Sequence, residues 1–196
     1  MIEGPATLRA SVHGAYSAAA LDPAAKHPFP VGRDFAESVG YPTELLSRLP
    51  NSAAAAFAGV SNVAVTAPVE EGMTILDIGC GAGLDSLIAG RRVGAGRVIG
   101  IDFSAAMLAR ALEAARDHGA ANVHFVQASA ESLPCPDASV DLALVNGIFN
   151  LNPFRAAIFH ELARVVKPGG RVAGAELIVG DNLPEVLRQG SANWFS

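Results

Sequence analysis

Three glycines at alternate positions, Gly79-Cys80-Gly81-Ala82-Gly83, let backbone amides lie against a ligand, because glycine accepts positive φ and presents no Cβ. Asp77 stands two residues earlier, at the end of an apolar stretch, where its carboxylate faces whatever the loop holds. A dinucleotide fingerprint G-x-G-x-x-G would need a glycine where Leu84 stands, so the spacing argues against a pyrophosphate. The charge argues the same way. A carboxylate at the strand end repels a pyrophosphate and attracts a cationic amino acid-sulfonium ligand. At about 4 Å and an effective dielectric near 20, one such pair is worth on the order of 4 kcal/mol before desolvation. A second acid, Asp102, closes the next apolar stretch, where a carboxylate can accept both ribose hydroxyls of a nucleoside. Phe103 beside it and Met107 one helical turn on either contact an adenine or serve as core.

Positioning these groups requires strands that end at the loop and helices that begin there. From about Gly72 onward, apolar strands alternate with amphipathic helices, the pattern of a parallel sheet covered on both faces. The predicted strands are Thr74 to Ile78, Arg97 to Asp102, Val123 to Ala128, Val140 to Val145 and Arg171 to Val179. The predicted helices are Leu84 to Val93, Ala105 to Asp117 and Phe154 to Val166. Ser104 is an N-cap for the second helix, Gly119 its stop, and Pro168-Gly169-Gly170 the stop of the third. Residues 1–70 are rich in Ala, Pro and Gly and are broken by Pro28, Pro30, Gly32, Pro42 and Pro50. They predict a cap of short helices over Gly32 to Val39 and Thr43 to Arg48, with a helix-permissive run from Ala53 to Ala58 and no sustained periodicity. The expected fold is therefore a doubly wound, mostly parallel α/β sheet, Rossmann-like with order 3-2-1-4-5. An N-terminal helical cap or lid (1–70) precedes a ligand-binding core (71–196).

The segments Ile75-Leu76-Asp77-Ile78-Gly79-Cys80-Gly81-Ala82-Gly83, Gly100-Ile101-Asp102-Phe103-Ser104 and Val166-Lys167-Pro168-Gly169-Gly170-Arg171 resemble motifs of class I S-adenosylmethionine-dependent methyltransferases, over about Gly72 to Gly180. Within that family the chain most resembles the arsenite methyltransferases. The segments that carry this are Gly40-Tyr41-Pro42 through Leu49-Pro50, Asn146-Gly147-Ile148-Phe149-Asn150-Leu151-Asn152-Pro153, and Asn182-Leu183-Pro184. The resemblance implies S-adenosylmethionine as cofactor, with Asp77, Gly79, Cys80, Gly81 and Gly83 around its methionine part and Asp102 on its ribose. It further implies Ser129 and Ala130 near the adenine amine, with Ser129 where the family usually has an acid, and Asn146 beside the sulfonium. Arsenite methyltransferases hold soft arsenic(III) with cysteine thiolates, as soft ions require. Val60 and Gly147 stand where that pattern places cysteines, so a small organic methyl acceptor is expected. A cofactor-binding module without activity, arsenite methylation and a nicotinamide-dependent oxidoreductase are the alternatives. Family members usually continue beyond the fifth strand with another strand pair, which this chain is expected to lack. A homodimer covering that edge is an option, with Trp194 and Phe195 available to it.

Composition agrees with a small-molecule enzyme. The formal net charge is -5, with no cluster of Lys or Arg to attract nucleic acid or an anionic membrane. Neither a basic and apolar leader nor a membrane-length apolar run is present, which predicts a cytoplasmic protein. Cys80 and Cys135 fit no metal spacing, so no metal site is expected. Methyl transfer from a sulfonium rests mainly on positioning, and no catalytic residue is assigned. His27 and Tyr41 are candidate bases; His118, His124 and His160 are assigned to structure, and Glu176 lies near the expected pocket mouth.

Overall fold

A computed structural model describes residues 4–178. Five helices come first: α1 (Pro5–Leu21), α2 (Arg33–Ser38), α3 (Thr43–Leu46), α4 (Asn51–Ala55) and α5 (Val63–Thr66). The alternating part follows as β1 (Thr74–Ile78), α6 (Leu84–Val93), β2 (Arg97–Asp102), α7 (Ala105–His118), β3 (Val123–Gln127), β4 (Val140–Asn146), α8 (Arg155–Val165) and β5 (Val166–Ala175). The strands form one sheet in the order β3-β2-β1-β4-β5, every pair parallel, as expected.

The central strands are buried on both faces, which is why they read as continuous apolar runs, while the edge strands β3 and β5 are more exposed. Successive side chains alternate between faces. On one face Ile75, Leu142 and Leu144 share a core with Leu87, Ile88 and Val93 of α6 and with Leu46, Ala53 and Val63 of the N-terminal helices. On the other, Leu76, Ile78, Ala143 and Val145 pack against Ile158, Leu162 and Val165 of α8. At about 25 cal/mol per Å² of apolar surface, burying each such Leu, Ile or Val side chain contributes about 1.5–3 kcal/mol, an upper value because the unfolded chain is already partly compact.

Two expectations are corrected. The N-terminal segment is not made of short helices alone, since α1 runs 17 residues. Its inner stripe is Leu8, Val12, Ala19 and Ala20, with Ala15 and Tyr16 half-buried. Small residues on the remaining faces dilute the periodicity that would have announced it. The last strand begins at Val166, not Arg171, because Lys167-Pro168-Gly169-Gly170 forms an irregularity inside it. Register passes from Val140↔Val166 to Leu142↔Arg171, and Gly169 takes φ 82° there. Glycine and proline marked a bulge rather than a gap. The strand also ends at Ala175, short of the expected Val179, since residues 176–178 lie outside it; the Asn182-Leu183-Pro184 segment, Trp194, Phe195 and the question of a further strand pair lie outside the described residues.

Candidate functional site

The cavity opens at the carboxyl ends of β1, β2, β3 and β4, where the chain order reverses between β1 and its two neighbours, the usual ligand position in open α/β sheets. It encloses about 1090 Å³, part of it open to solvent, and α1 and the segment 53–59 form its outer wall. Asp77, Gly79, Cys80, Gly81, Asp102, Phe103, Met107, Ala130 and Asn146 line it together. Gly83 and Ser129 do not. Gly83 caps α6 at φ 86°, packed under Phe125 and Ala111. The Ser129 hydroxyl accepts from Arg9 at 2.7 Å and donates to Glu131.

The glycine loop is bent outward by paired bonds. The Gly79 and Cys80 N–H groups both donate to the Ile101 carbonyl at 2.9 Å, and the Gly81 N–H donates to Asp102 Oδ2 at 3.0 Å. Gly79 has φ 72°, and a Cβ there would fall 2.5 Å from Ile148 Cγ2, so both conformation and space require glycine. Asp102 Oδ1 accepts from the Ser104 N–H at 2.8 Å, which ties the α7 cap to the same carboxylate. One acid thus holds the loop and still turns its free lone pairs to the cavity.

Three carboxylates face this space, and all are nearly closed off from bulk water: Asp77 is 2% exposed, Asp85 6% and Asp102 7%. Burial pushes Asp77 above the usual carboxylate range, with the charge of Asp85 adding to it, while a hydrogen bond from Ser86 at 2.5 Å pulls the other way. Asp85 and Asp102 are raised chiefly by burial as well. Burial also raises the Cys80 thiol, reinforced by Asp77 and Asp102, so it stays neutral. Cys135 packs in the opposite core, beneath α8.

Asp85 is the functional candidate that the sequence did not reveal. Its Oδ1 accepts from the Tyr41 hydroxyl at 2.5 Å and the Ala64 N–H at 3.2 Å, and its Oδ2 accepts from Asn146 Nδ2 at 2.9 Å. Asn146 Nδ2 also donates to the Ser61 carbonyl at 2.7 Å, and its Oδ1 accepts from the Val60 and Ser61 N–H groups at 2.8 and 3.2 Å. The Asn146 amide is therefore fully committed, to Val60 and Ser61, which it fixes beside the cavity, and to Asp85. Tyr41 is no base: burial and Asp85 hold its hydroxyl protonated far above neutrality. His27 bonds the Asp22 carbonyl at 2.8 Å, away from the cavity. Glu176 Oε2 accepts from the Phe149 and Asn150 N–H groups at 2.7 and 3.2 Å, fixing the loop after β4. Arg9, Val12 and Tyr16 of α1 also reach the cavity; they stand three and four residues apart, on one helix side, but the small residues around them hide that spacing in the sequence.

A Cβ on Gly147 would lie 3.0 Å from Val60 Cγ1, so the two positions at which the resemblance places cysteines face each other. Among the described residues no group of three or more His, Cys, Asp or Glu could hold a metal, and no helix is long and apolar enough to cross a membrane.

Residues 69–195 match the family described as methyltransferase domain. The chain is 36% identical over 128 residues to an arsenite methyltransferase of Halobacterium salinarum, covering 65% of this chain and 33% of that protein. It is likewise 36% identical to a demethylmenaquinone methyltransferase of Lactococcus lactis, over 54% of this chain and 42% of the relative. The crystal structure of an arsenic(III) S-adenosylmethionine methyltransferase from Chlamydomonas reinhardtii superimposes with a TM-score of 0.61 at 32% identity, over 81% of this chain and 53% of that one. The chain thus spans less than half the length of these two curated relatives.

Proposed function

This chain belongs to the methyltransferase domain family as a class I S-adenosylmethionine-dependent member close to the arsenite methyltransferases, and from that premise we propose that it methylates a small organic acceptor. The observation that carries the acceptor half of this reading is that Val60 and Gly147 face each other, a Cβ on Gly147 falling 3.0 Å from Val60 Cγ1. An apolar side chain and a bare backbone stand where a soft ion would need thiolates; of the two cysteines, Cys80 belongs to the glycine loop and Cys135 is buried with α8, so they form no thiolate pair there. A cytoplasmic location fits these two free thiols.

The residues present fit the family's cofactor. Among the described lining residues Arg9 is the one cation, and it is engaged by Ser129 and Glu131; a pyrophosphate would find little to bind. Asp102 presents a carboxylate to the ribose, the loop 79–81 lies against the methionine part, and Phe103, Met107 and Ala130 offer apolar contact to the adenine. Bound S-adenosylmethionine supplies a methyl group already activated toward displacement. The protein's contribution is orientation and exclusion of water: α1 and residues 57–59 cover the cavity, while Asn146 fixes where the wall nearest β4 stands. We propose residues 1–70 as the cap over the cofactor, and we assign no general base.

Two measurements test this. Calorimetric titration with S-adenosylhomocysteine checks the cofactor assignment, and absence of binding refutes it. Turnover of radiolabelled S-adenosylmethionine with a panel of small acceptors, arsenite included, checks the acceptor. Methylation of an organic acceptor without arsenite turnover is expected; strong arsenite turnover refutes the reading of Val60 and Gly147, and binding without any turnover favours a cofactor-binding module.

A further inference from the structure

Resting on the cofactor reading above, we propose that Asp85 is a specificity residue: a second counter-charge that makes the cavity prefer a cofactor bearing positive charge at the transfer position over its uncharged product. The argument begins with what surrounds the carboxylate. Each of its three partners, the Tyr41 hydroxyl, the Ala64 N–H and Asn146 Nδ2, donates to it. The Ala64 N–H and Asn146 Nδ2 can only donate, one to each carboxylate oxygen, so these two bonds favour the ionised form against the burial that opposes it, while the Tyr41 hydroxyl has a second acceptor in the Ser61 carbonyl at 3.0 Å. The 2.5 Å contact from Tyr41 is of charge-assisted length.

No Lys or Arg among the described residues pairs with this charge. Among the described residues, the ion pairs join Arg9 to Glu131, Arg33 to Glu37, Arg164 to Asp137 and Glu161, and Lys167 to Asp141. None reaches Asp77, Asp85 or Asp102. Buried carboxylates without a partner cation are costly, and all three line one cavity. That cost is offset when a cationic ligand arrives. Asp77 at the end of β1 and Asp85 in the first turn of α6 share one wall, near Asn146, so the cavity offers two acids where an α-ammonium and a sulfonium enter together.

The consequence lies in the reaction's charge balance. When the methyl group leaves, the electron pair of the C–S bond stays on sulfur, which becomes a neutral thioether. The acceptor atom gains the methyl group, and with it a positive charge that it keeps or sheds as a proton. Asp77 keeps its ammonium partner; Asp85 loses its own. The spent cofactor is therefore held more weakly than the fresh one, which favours exchange after each turnover.

Calorimetry on the full chain tests this with two stable ligands, S-adenosylhomocysteine and sinefungin, an adenosyl amino acid with an ammonium-bearing carbon in place of the methylated sulfur. Wild type is expected to bind sinefungin more tightly by about tenfold or more, the scale of one partly screened charge pair. Asp85→Asn should bring the two affinities within about twofold of each other. Tyr41→Phe, which removes a neighbour but leaves the charge, should keep the preference even if both ligands bind more weakly. If Asp85→Asn does not fold, Asp85→Ser, which leaves room for a water beside Asn146, takes its place. Equal affinities in wild type, a preference that survives loss of the carboxylate, or one that Tyr41→Phe also abolishes overturns the proposal. Failure of both ligands to bind wild type refutes instead the cofactor reading on which it rests.

Discussion

Replacing Asp102 by Asn leaves size and shape almost unchanged and takes away one acceptor atom and the charge. In the wild type Oδ1 accepts from the Ser104 N–H at 2.8 Å and Oδ2 from the Gly81 N–H at 3.0 Å. Whichever way the new amide turns, its NH₂ meets one of those N–H groups in a place that is 7% exposed. A buried donor left without an acceptor costs about 1–3 kcal/mol, and each kcal/mol lowers the melting temperature of a domain of this size by about 2–4 °C. On the ligand side, loss of a charged acceptor for a ribose hydroxyl costs about 1.5–3 kcal/mol, or roughly 10–150-fold in Kd. The two effects separate experimentally, since melts without ligand report the first and titration with S-adenosylhomocysteine on folded protein reports the second. A variant that melts lower yet binds within about twofold of wild type would refute the assignment of Asp102 to the nucleoside and leave it a loop anchor alone.

Three further outcomes follow from the geometry. Gly59→Ala places a Cβ 2.6 Å from Asn146 Nδ2 and 2.8 Å from Phe57 Cζ. It should cost about 1–3 kcal/mol of stability and weaken S-adenosylhomocysteine binding, both read by melting with and without ligand. Gly83→Ala combines φ 86° with a Cβ 2.9 Å from Phe125 Cζ and 3.1 Å from Ala111 Cβ. It should lower stability by about 2 kcal/mol or more in denaturant titration. Because Asp77 binds its proton more tightly in the empty fold than in the unfolded chain, its contribution to stability is fully present below the ordinary carboxylate range and declines as pH rises through the raised value. A ligand ammonium favours the ionised form, so affinity for S-adenosylhomocysteine should increase with pH over that window and binding should release protons. Calorimetry in two buffers of different ionisation enthalpy measures the release; proton uptake would contradict it.

Where the chain punctuates itself, the sequence was readable to the residue. β1, β2 and α6 begin and end as expected because apolar runs there are bounded by glycines and acids whose roles are local. Asp77, Gly79, Gly81 and Asp102 were legible as cavity residues for the same reason, each sitting at or just beyond a strand end that its own neighbours define, whereas Gly83 caps α6 outside the cavity. Asp85 was not. Its partners Tyr41, Ala64 and Asn146 come from α5 and two other parts of the chain, 44, 21 and 61 residues away, and only the packed fold brings them together. Asn146 was legible as a cavity residue only through the family resemblance, and its commitment to Val60 and Ser61 was not legible at all. α1 escaped for a different reason: alanine satisfies a buried and an exposed helix face equally well, so a stripe with few large residues carries little pattern. Pro168-Gly169-Gly170 misled because turn residues and bulge residues are the same residues.

The clasp around Asn146 and Asp85 also fixes how the molecule opens. The N–H groups of Val60, Ser61 and Ala64 are held by side chains of β4 and α6, not by a ladder or by a preceding helical turn. Such amides exchange with solvent only when the side-chain network comes apart, and that requires the end of β4, the first turn of α6 and the approach to α5 to separate together. Hydrogen exchange at these three positions should follow one common sub-global opening, slower than the fraying of short neighbouring helices such as α3, and ligand should slow all three by the same factor. The wall of the cavity and the centre of the sheet then belong to one cooperative unit.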